Sequence, residues 1–245
     1  MYRMYHRGPM SLQDIADDLV ADLRGLSFAP PVAYVYNPLK YARRPYRRYV
    51  EKYGRGTKEV LFVGMNPGPW GMAQTGIPFG AVEPVTGWLG ILEKVDKPPG
   101  QHPKRKVRGF DCPRNEVSGL RVWHWARDTF GTPAAFFRRF FIGNYCPLLF
   151  LADSGRNLTP DKLVAEDREA LLPPCDRALR RTVEAMRPRW VIGFGVWAEG
   201  RARTALEGLD VEIGRILHPS PASPAANRGW AEAATRQLRE LGIRV

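Results

Sequence analysis

The sequence lacks long apolar runs, and it contains few cysteines. No stretch approaches the ~18 apolar residues that a membrane-spanning helix requires, and the opening MYRMYHRGPM has no apolar centre of the secretory type. The three cysteines, at positions 112, 146 and 175, lie far apart without a C-x-x-C pair. We therefore expect no disulfide framework and no four-cysteine metal site, but three reduced, buried thiols in an intracellular, cytoplasmic protein.

Acidic residues are scarce relative to basic ones. The 245 residues include 37 Lys and Arg against 25 Asp and Glu, a net charge of +12. Basic side chains concentrate in segments 43–52 and 104–108, among aromatic residues or among Pro and Gly. This pattern favours a polyanionic partner and is typical of segments that contact phosphates. A basic surface without functional meaning is the alternative that composition leaves open.

The length and the 44% hydrophobic content suit one soluble domain. Because no linker, repeat or low-complexity segment divides the chain, we predict a single domain over residues 1–245. Within it, residues 1–25 form an N-terminal helical extension. Ser11 is placed to cap a helix over 11–26, and segment 41–53 predicts a basic helix with Pro45 in its first turn.

Short apolar runs rich in β-branched residues alternate with helical patterns. This alternation predicts an α/β fold with a mostly parallel sheet covered on both faces, in which ligands bind beyond the carboxyl ends of the strands. The runs read as strands are 59–65, 140–146, 190–195 and 211–217. The helical patterns are roughly 86–95, 119–130, 176–187, 197–208 and 229–241.

The loops that follow three of these strands are chemically unusual. Segment 64–80, GMNPGPWGMAQTGIPFG, holds five glycines and three prolines, which stiffen the path and let the backbone approach a ligand closely. It lacks the Lys of a phosphate-binding loop. His218 directly follows the last strand and begins HPSPASPAANRGW, a rigid and otherwise small or polar segment that suits contact with DNA.

These loops resemble the motifs of one family in their order along the chain. Segment 64–80 closely resembles the water-positioning motif of the single-strand-selective monofunctional uracil-DNA glycosylases. Segment 218–230 resembles their second motif, a His followed by a DNA-intercalating segment, and N144-Y-C-P-L-L149 resembles the segment whose Asn reads the uracil edge. The resemblance covers residues ~25–243 and implies a three-layer α/β/α sandwich around a four-stranded parallel sheet, the uracil-DNA glycosylase fold.

The resemblance also implies a role for particular residues. Asn66 and His218 are the implied catalytic residues: Asn66 holds the attacking water, and His218 donates a hydrogen bond to uracil O2. Phe79 stacks on the flipped base, and Asn144 bonds its Watson–Crick edge. Met65 and Gly68 line the pocket near the water and the base's 5-position. The implied DNA-binding residues are Pro219, Ser220, Pro221, Ala222, Ser223, Pro224, Asn227 and Arg228.

These residue types suit the cleavage of a glycosidic bond in DNA. Negative charge develops on the departing base, so an oriented donor such as His218 stabilises the transition state. An amide cannot accept a proton near neutral pH, which means that Asn66 orients water but is no general base. No motif positions a Lys for a Schiff base. We expect a monofunctional enzyme that leaves an abasic site and needs no metal or cofactor.

Gly68 bears on the range of bases accepted. Glycosylases strict for uracil place a bulky aromatic there, whereas Gly68 is expected to leave open space filled by water. This predicts acceptance of a small polar 5-substituent such as hydroxymethyl and exclusion of thymine, whose methyl displaces water without replacing its hydrogen bonds.

Two positions depart from the family pattern. Ala222 stands where the vertebrate forms have Arg in the intercalating segment, so that Arg228 is a candidate to compensate, and Trp70 replaces an expected Phe.

Several alternatives stay open at this point. The expected substrate is uracil or 5-hydroxymethyluracil in single- or double-stranded DNA, flipped out of the stack by a monomeric, nucleoid-associated enzyme without membrane contact. A member of the same superfamily that favours mismatched uracil or deaminated purines is the first alternative. A non-catalytic nucleic-acid-binding module is the second, and a small-nucleotide binder on a doubly wound sheet is the third.

Overall fold

Seven strands form two sheets in residues 10–245, the part of the chain that this computed structural model describes. In chain order they are β1 (Tyr34–Tyr36), β2 (Val60–Gly64), β3 (Phe140–Asn144), β4 (Leu149–Leu151), β5 (Asn157–Leu158), β6 (Trp190–Phe194) and β7 (Glu212–Ile216). The larger sheet is parallel throughout and has the order β3-β2-β6-β7. All four strands predicted from the sequence are confirmed, each within one or two residues of its predicted bounds.

The centre of this sheet consists of apolar strands without alternation. Every residue of β2 is buried, as are Val191 to Phe194 of β6. A strand covered on both faces needs apolar side chains on both, which explains the continuous runs in the sequence. Parallel pairing then sets the carboxyl ends of the strands along one edge, with Gly64 beside Asn144 and Phe194 beside Ile216.

The smaller sheet was not predicted. It is antiparallel, in the order β1-β4-β5, and its strands have only two or three residues. Strands this short carry no detectable period, and β1 lies in the stretch that the sequence presents as Pro-containing and merely extended.

Eleven helices between residues 10 and 245 surround the sheets. One group packs together through α1, α8 and α9, and another through α6, α7 and α11. The predicted three-layer α/β/α arrangement around a four-stranded parallel sheet is confirmed. The helices are α1 (Leu12–Asp22), α2 (Pro38–Tyr41), α3 (Arg43–Tyr53), α4 (Met72–Thr75), α5 (Val82–Gly87), α6 (Val117–Phe130), α7 (Pro133–Phe137), α8 (Ala165–Met186), α9 (Val196–Ala205), α10 (Pro224–Asn227) and α11 (Trp230–Glu240).

Local sequence signals explain where α1 begins, but they predict one helix that the structure does not contain as such. Ser11 and Asp14 form a reciprocal capping box at the start of α1, as the sequence indicates. The helix predicted over 86–95 is wrong: α5 ends at Gly87 and the chain then runs irregularly. Gly90 there has a φ of +60°, and the Leu89 carbonyl accepts hydrogen bonds from the Lys52 ammonium and the Tyr53 hydroxyl instead of from a helix turn.

One hydrophobic cluster extends from Ile15 in α1 to Ile243 near the carboxyl terminus. Cys112, Cys146 and Cys175 are free and buried, as predicted. Over the described residues, no helix combines the length and the apolar character needed to cross a bilayer.

Candidate active site

A cavity of about 510 Å³ lies at the edge where the parallel strands end. Proteins commonly bind small molecules at this edge and in cavities of this size. All six predicted catalytic and base-binding residues line it, together with two of the predicted DNA-binding residues: Met65, Asn66, Gly68, Phe79, Asn144, His218, Ser220 and Pro221. The structure therefore brings together side chains that three separate loops and strand ends supply.

Gly64 explains why Phe79 and Asn144 can meet at the end of β2. It pairs with Asn144 in the sheet register. A Cβ on Gly64 would overlap the Asn144 side-chain oxygen and lie 2.8 Å from the Phe79 ring. The missing side chain thus leaves the space in which the Phe79 ring and the Asn144 amide stand next to each other.

Asn66 is held by a carbonyl from another loop. Its side-chain amide nitrogen donates a hydrogen bond of 3.1 Å to the backbone oxygen of Leu148. This bond fixes which end of the amide is the donor, and it leaves the oxygen Oδ1 as the acceptor for a molecule in the cavity.

The His218 ring has one nitrogen already engaged. Its Nδ1 accepts a hydrogen bond of 3.1 Å from the backbone N–H of Ser220, so in the neutral ring the proton resides on Nε2. Burial lowers the pKa of His218 below its usual value, which favours the neutral ring. Near neutral pH the side chain is thus a neutral donor through Nε2.

Phe79 occupies a rare backbone conformation. Its φ is +56°, although it is not a glycine, and its ring packs on Phe194 with centroids 4.7 Å apart. Such conformations concentrate at functional sites because the surrounding structure must impose them. Gly119 of α6 contributes here, since a Cβ at that position would overlap the Phe79 carbonyl oxygen.

Glu116 is a cavity residue that sequence reasoning missed, and its position corrects the expectation of open space beside Gly68. A Cβ on either Gly68 or Gly71 would overlap the Glu116 carboxyl oxygens. Oxygen Oε2 is buried without a hydrogen-bond partner in the described part of the chain. Burial raises the pKa of the Glu116 carboxyl to about 7. Nothing in the sequence distinguishes Glu116 from the other acidic residues.

The predicted DNA-binding segment is a loop that includes the short helix α10, and its tip is exposed. Pro219 is buried at its base, and residues 221, 222, 224, 227 and 228 are exposed. Arg121 of α6, also missed, holds both ends: its guanidinium donates to the Pro219 carbonyl at 3.0 Å and to the Asn227 side-chain oxygen at 2.8 Å. Asn227 in turn donates to the Pro221 carbonyl at 2.9 Å.

The two basic segments differ in their relation to the cavity. In 43–52, Arg43 pairs with Asp17, Arg47 with Glu51, and Lys52 bonds the Leu89 carbonyl. In contrast, 104–108 lies beside Trp70, which lines the cavity. The guanidinium carbons of Arg105 and Arg114 lie 5.2 and 4.7 Å from the Trp70 ring centroid. Positive charge thus borders the cavity on this side.

A larger groove, of about 1040 Å³, runs between α6 and α11. Its lining includes Arg121 and Asn227 and shares Val117 with the smaller cavity, but it contains none of the six predicted catalytic and base-binding residues. The convergence of side chains from separate strand ends, rather than volume, identifies the smaller cavity as the candidate active site.

The buried Glu116 carboxyl predicts a specific dependence of stability on pH. Its pKa is about 7 in the folded protein against 4.5 when exposed, so the folded protein holds this proton more tightly than the unfolded chain does. Stability therefore falls as the pH rises from about 4.5 to about 7, by about 3 kcal/mol at 1.36 kcal/mol per pH unit. Glu116→Gln has no such proton, and urea unfolding across this interval should show a correspondingly smaller fall.

Two comparisons isolate this effect. Burial lowers the pKa of His218, which makes stability rise with pH, but His218 is present in both proteins and cancels in the difference. Glu169→Gln, at an exposed position of α8, is the matched control and should follow the wild-type profile. Parallel profiles for Glu116→Gln and wild type would show that the carboxyl is not perturbed.

Known proteins resemble this chain over most of its length. A sequence model of the uracil DNA glycosylase superfamily matches residues 51–239. The single-strand selective monofunctional uracil-DNA glycosylase of Rattus norvegicus is 56% identical over 227 residues, which are 92% of this chain and 82% of the rat protein. Its counterparts in Mus musculus and Bos taurus are 55% and 53% identical, over 92% and 91% of this chain and 81% and 82% of their own.

A solved structure agrees at the level of the fold. The crystal structure of wild-type Pedobacter heparinus SMUG2 superposes with a TM-score of 0.67 at 18% identity, covering 93% of this chain and 97% of that one. The resemblance proposed from the loop motifs is confirmed by the sequence relatives. This chain belongs to the uracil DNA glycosylase superfamily and, within it, to the family of single-strand selective monofunctional uracil-DNA glycosylases.

Proposed function

We propose that the protein is a monofunctional DNA glycosylase that excises uracil and 5-hydroxymethyluracil by base flipping and leaves an abasic site. The observation that carries this proposal is the meeting of Asn66, Phe79, Asn144 and His218 in one cavity at the carboxyl edge of the sheet. Recognition of a flipped pyrimidine requires an aromatic ring for stacking and an amide for its polar edge. Hydrolysis requires a donor to the departing base, such as a neutral imidazole, and an amide that orients water.

The reaction begins with departure of the base. As the bond between base and sugar breaks, negative charge accumulates on the uracil oxygens and positive charge on the sugar. His218 donates through Nε2 to uracil O2, because its Nδ1 is engaged by Ser220. A donor fixed in advance stabilises the developing charge without reorganising, and such a donor contributes ~2.7–4 kcal/mol.

Water then captures the sugar cation. The bond from Asn66 to the Leu148 carbonyl keeps the Asn66 oxygen available to accept from that water. Because an amide does not take up the proton, the water is oriented but not deprotonated before it attacks, and the reaction follows a dissociative path. After the new C–O bond forms, the adduct loses its proton to the departed uracil anion or to solvent. Among residues 10–245, none of those that line the cavity is a lysine that could form a Schiff base, which supports the proposal of hydrolysis alone.

Phe79 and Asn144 hold the flipped base. The Phe79 ring supplies a flat apolar face for stacking, and the Asn144 amide can both donate to and accept from the Watson–Crick edge of uracil. The side-chain nitrogen of Asn144 donates to the Met72 sulfur, a weak acceptor that a base oxygen readily replaces.

The loop 219–228 is the proposed DNA wedge. Its exposed tip can enter the space that the flipped base vacates. Arg121 holds the two ends of the loop together through its hydrogen bonds to Pro219 and Asn227. Ala222 and exposed Arg228 are both part of this loop, and Arg228 is the cation proposed to compensate for the Arg missing at position 222. The basic residues around Trp70 lie where they can contact phosphates next to the cavity.

The proposed function extends to the oligomeric state, the DNA substrate and the cellular location of the enzyme. It acts as a monomer on single- and double-stranded DNA inside the cell, associated with the nucleoid, and without a metal or cofactor. Unpairing costs less in single strands and mismatches, so these substrates should be cleaved faster than matched duplexes.

Base release in the presence of a chelator tests the proposed reaction. Oligonucleotides with one uracil are incubated with the protein and excess EDTA, and abasic sites are revealed with alkali. We expect release of free uracil, breaks only after alkali treatment, and no protein–DNA adduct after borohydride reduction. A trapped adduct would indicate lyase chemistry, and the absence of any uracil release would refute the proposal.

Replacing Asn66 tests its role with water. Asn66→Ala removes one hydrogen bond to the water, so the single-turnover rate should fall about tenfold, the equivalent of about 1.4 kcal/mol. Asn66→Asp keeps an acceptor and should retain appreciable activity. If Asn66→Ala were as fast as wild type, Asn66 would not be the residue that orients the water.

A further inference from the structure

One titratable side chain of the cavity has no part in the proposed reaction. Glu116 stands at the residue that precedes α6, where a side chain normally caps the helix, yet it makes no capping bond. Its oxygen Oε2 is instead buried without a hydrogen-bond partner in the described residues. Burying an unpaired polar atom costs free energy, and such atoms in native proteins call for a functional explanation.

The carboxyl occupies a defined side of the cavity. A side chain on Gly68 or on Gly71 would overlap it, which places the carboxyl where a larger residue at position 68 would project. The packing of the two glycines against Glu116 therefore allows a polar group, rather than a hydrocarbon side chain, to form this wall.

The placement of the other cavity residues around the base leaves this wall of the cavity facing C5 of the pyrimidine. Given the proposed function, His218 faces O2, Asn144 faces the N3 and O4 edge, Asn66 lies at the sugar, and Phe79 covers a face. The edge of a pyrimidine that these residues leave uncovered carries C5 and C6. Gly68 is the residue proposed to lie near position 5 of the base, and Glu116 packs against it, so this edge faces the wall that the two residues form.

We propose that Glu116 is a specificity-determining residue, which accepts a hydrogen bond from a polar substituent on C5 of the flipped base. This inference rests on the proposed function. A 5-hydroxymethyl group donates to Glu116 Oε1, the carboxyl oxygen nearest to Gly68, and either protonation state of a carboxyl can accept it. Uracil itself leaves room for a bridging water.

The same contact disfavours thymine. A methyl group against Oε1 excludes water and offers no hydrogen bond in return, so this oxygen becomes desolvated and unpaired. Sites built to hydrogen-bond a substrate hydroxyl reject the analogue that lacks it far more strongly than apolar pockets reject a change of size. The sequence alone leads us to expect that an ordered water discriminates against thymine. In this proposal Glu116 has that role instead.

A matched pair of substrates tests the proposal in the wild-type protein. 5-Hydroxymethyluracil and 5-ethyluracil have side groups of nearly equal size, but only the first can donate a hydrogen bond. We expect kcat/KM in single-stranded DNA to be at least about tenfold higher for 5-hydroxymethyluracil, the value of one good hydrogen bond. Equal values for the two bases would overturn the proposal.

Two variants identify Glu116 as the cause. Glu116→Met keeps the length of the side chain without a polar end, and the ratio between the two substrates should fall to within about twofold of unity. Glu116→Gln keeps an oxygen acceptor and should retain most of the ratio. A ratio unchanged in Glu116→Met, or an equal loss in both variants, would overturn the proposal.

The design separates this inference from the proposed function. Uracil excision by wild type is measured in the same assay, and its absence would refute the glycosylase proposal itself. Uracil excision with no discrimination between the paired substrates would refute only the role of Glu116. Thermal unfolding shows whether each variant is folded. If Glu116→Met does not fold, the wild-type substrate pair still tests the proposal, because equal kcat/KM values for the two bases would overturn it.

Discussion

His218→Ala should lower kcat for uracil excision by about a hundredfold to a thousandfold, since one preorganised donor of this kind contributes ~2.7–4 kcal/mol. The effect should fall on kcat rather than on DNA affinity, because the charge that His218 is proposed to stabilise develops only in the transition state. Single-turnover rates and binding to uracil-free DNA, measured on the same preparations, separate the two.

Two further variants test whether the loss in His218→Ala results from the missing donor. His218→Asn retains an N–H donor and a side-chain acceptor and should have an intermediate rate. His124→Ala, at a histidine of α6 that pairs with Glu83 outside the cavity, is the matched control and should keep the wild-type rate. A His218→Ala rate within threefold of wild type would show that His218 is not the donor to the departing base. A tenfold change in rate corresponds to about 1.4 kcal/mol, so such a small loss is far below the expected effect.

Gly119→Ala should disable the enzyme through the backbone of Phe79. The added Cβ would overlap the Phe79 carbonyl oxygen and lie 3.0 Å from the Phe79 carbonyl carbon and 3.3 Å from the Ala81 nitrogen. Backbone atoms cannot swing aside as a side-chain end can, so the segment carrying Phe79 must move. Overpacking of this kind costs ~1–3 kcal/mol, more than the ~1 kcal/mol that Ala gains over Gly in a helix.

The loss of activity should exceed the loss of stability. Phe79 holds a φ of +56° that depends on its surroundings, and its ring is the proposed stacking surface for the base. Displacing a positioning group by about 1 Å can cost about a hundredfold in rate. We expect a lower Tm together with a fall of about this size in the excision rate for Gly119→Ala.

Gly200→Ala is the matched control for this prediction. Gly200 is exposed in α9, and a Cβ there would meet no atom within 4 Å. It should raise stability by up to about 1 kcal/mol and leave excision unchanged. Wild-type activity in Gly119→Ala would mean that the loop accommodates the methyl group and that the close approach of α6 does not position Phe79.

Local patterns in the sequence were sufficient for the central sheet and for most of the site. β2 and β6 are apolar without interruption because both faces are covered, and such runs are visible in the sequence. Parallel strands share an edge at their carboxyl ends, so placing Asn144 at the end of one strand and Asn66 and His218 just after two others is enough to bring them together. The helix predicted over 86–95 failed because the bonds that replace it come from Lys52 and Tyr53 in α3.

The sequence by itself determined the α/β class, the four parallel strands, the family and the loops that carry the candidate site. The tertiary structure alone decided that Glu116 lies against Gly68, that Arg121 holds the loop 219–228, and that Gly119 presses on Phe79. The reason is physical: strand and helix patterns repeat along the chain, whereas these contacts join single residues far apart in sequence and leave no period. Burial of a carboxyl against glycines is a property of the packed protein, so only the packed protein could show it.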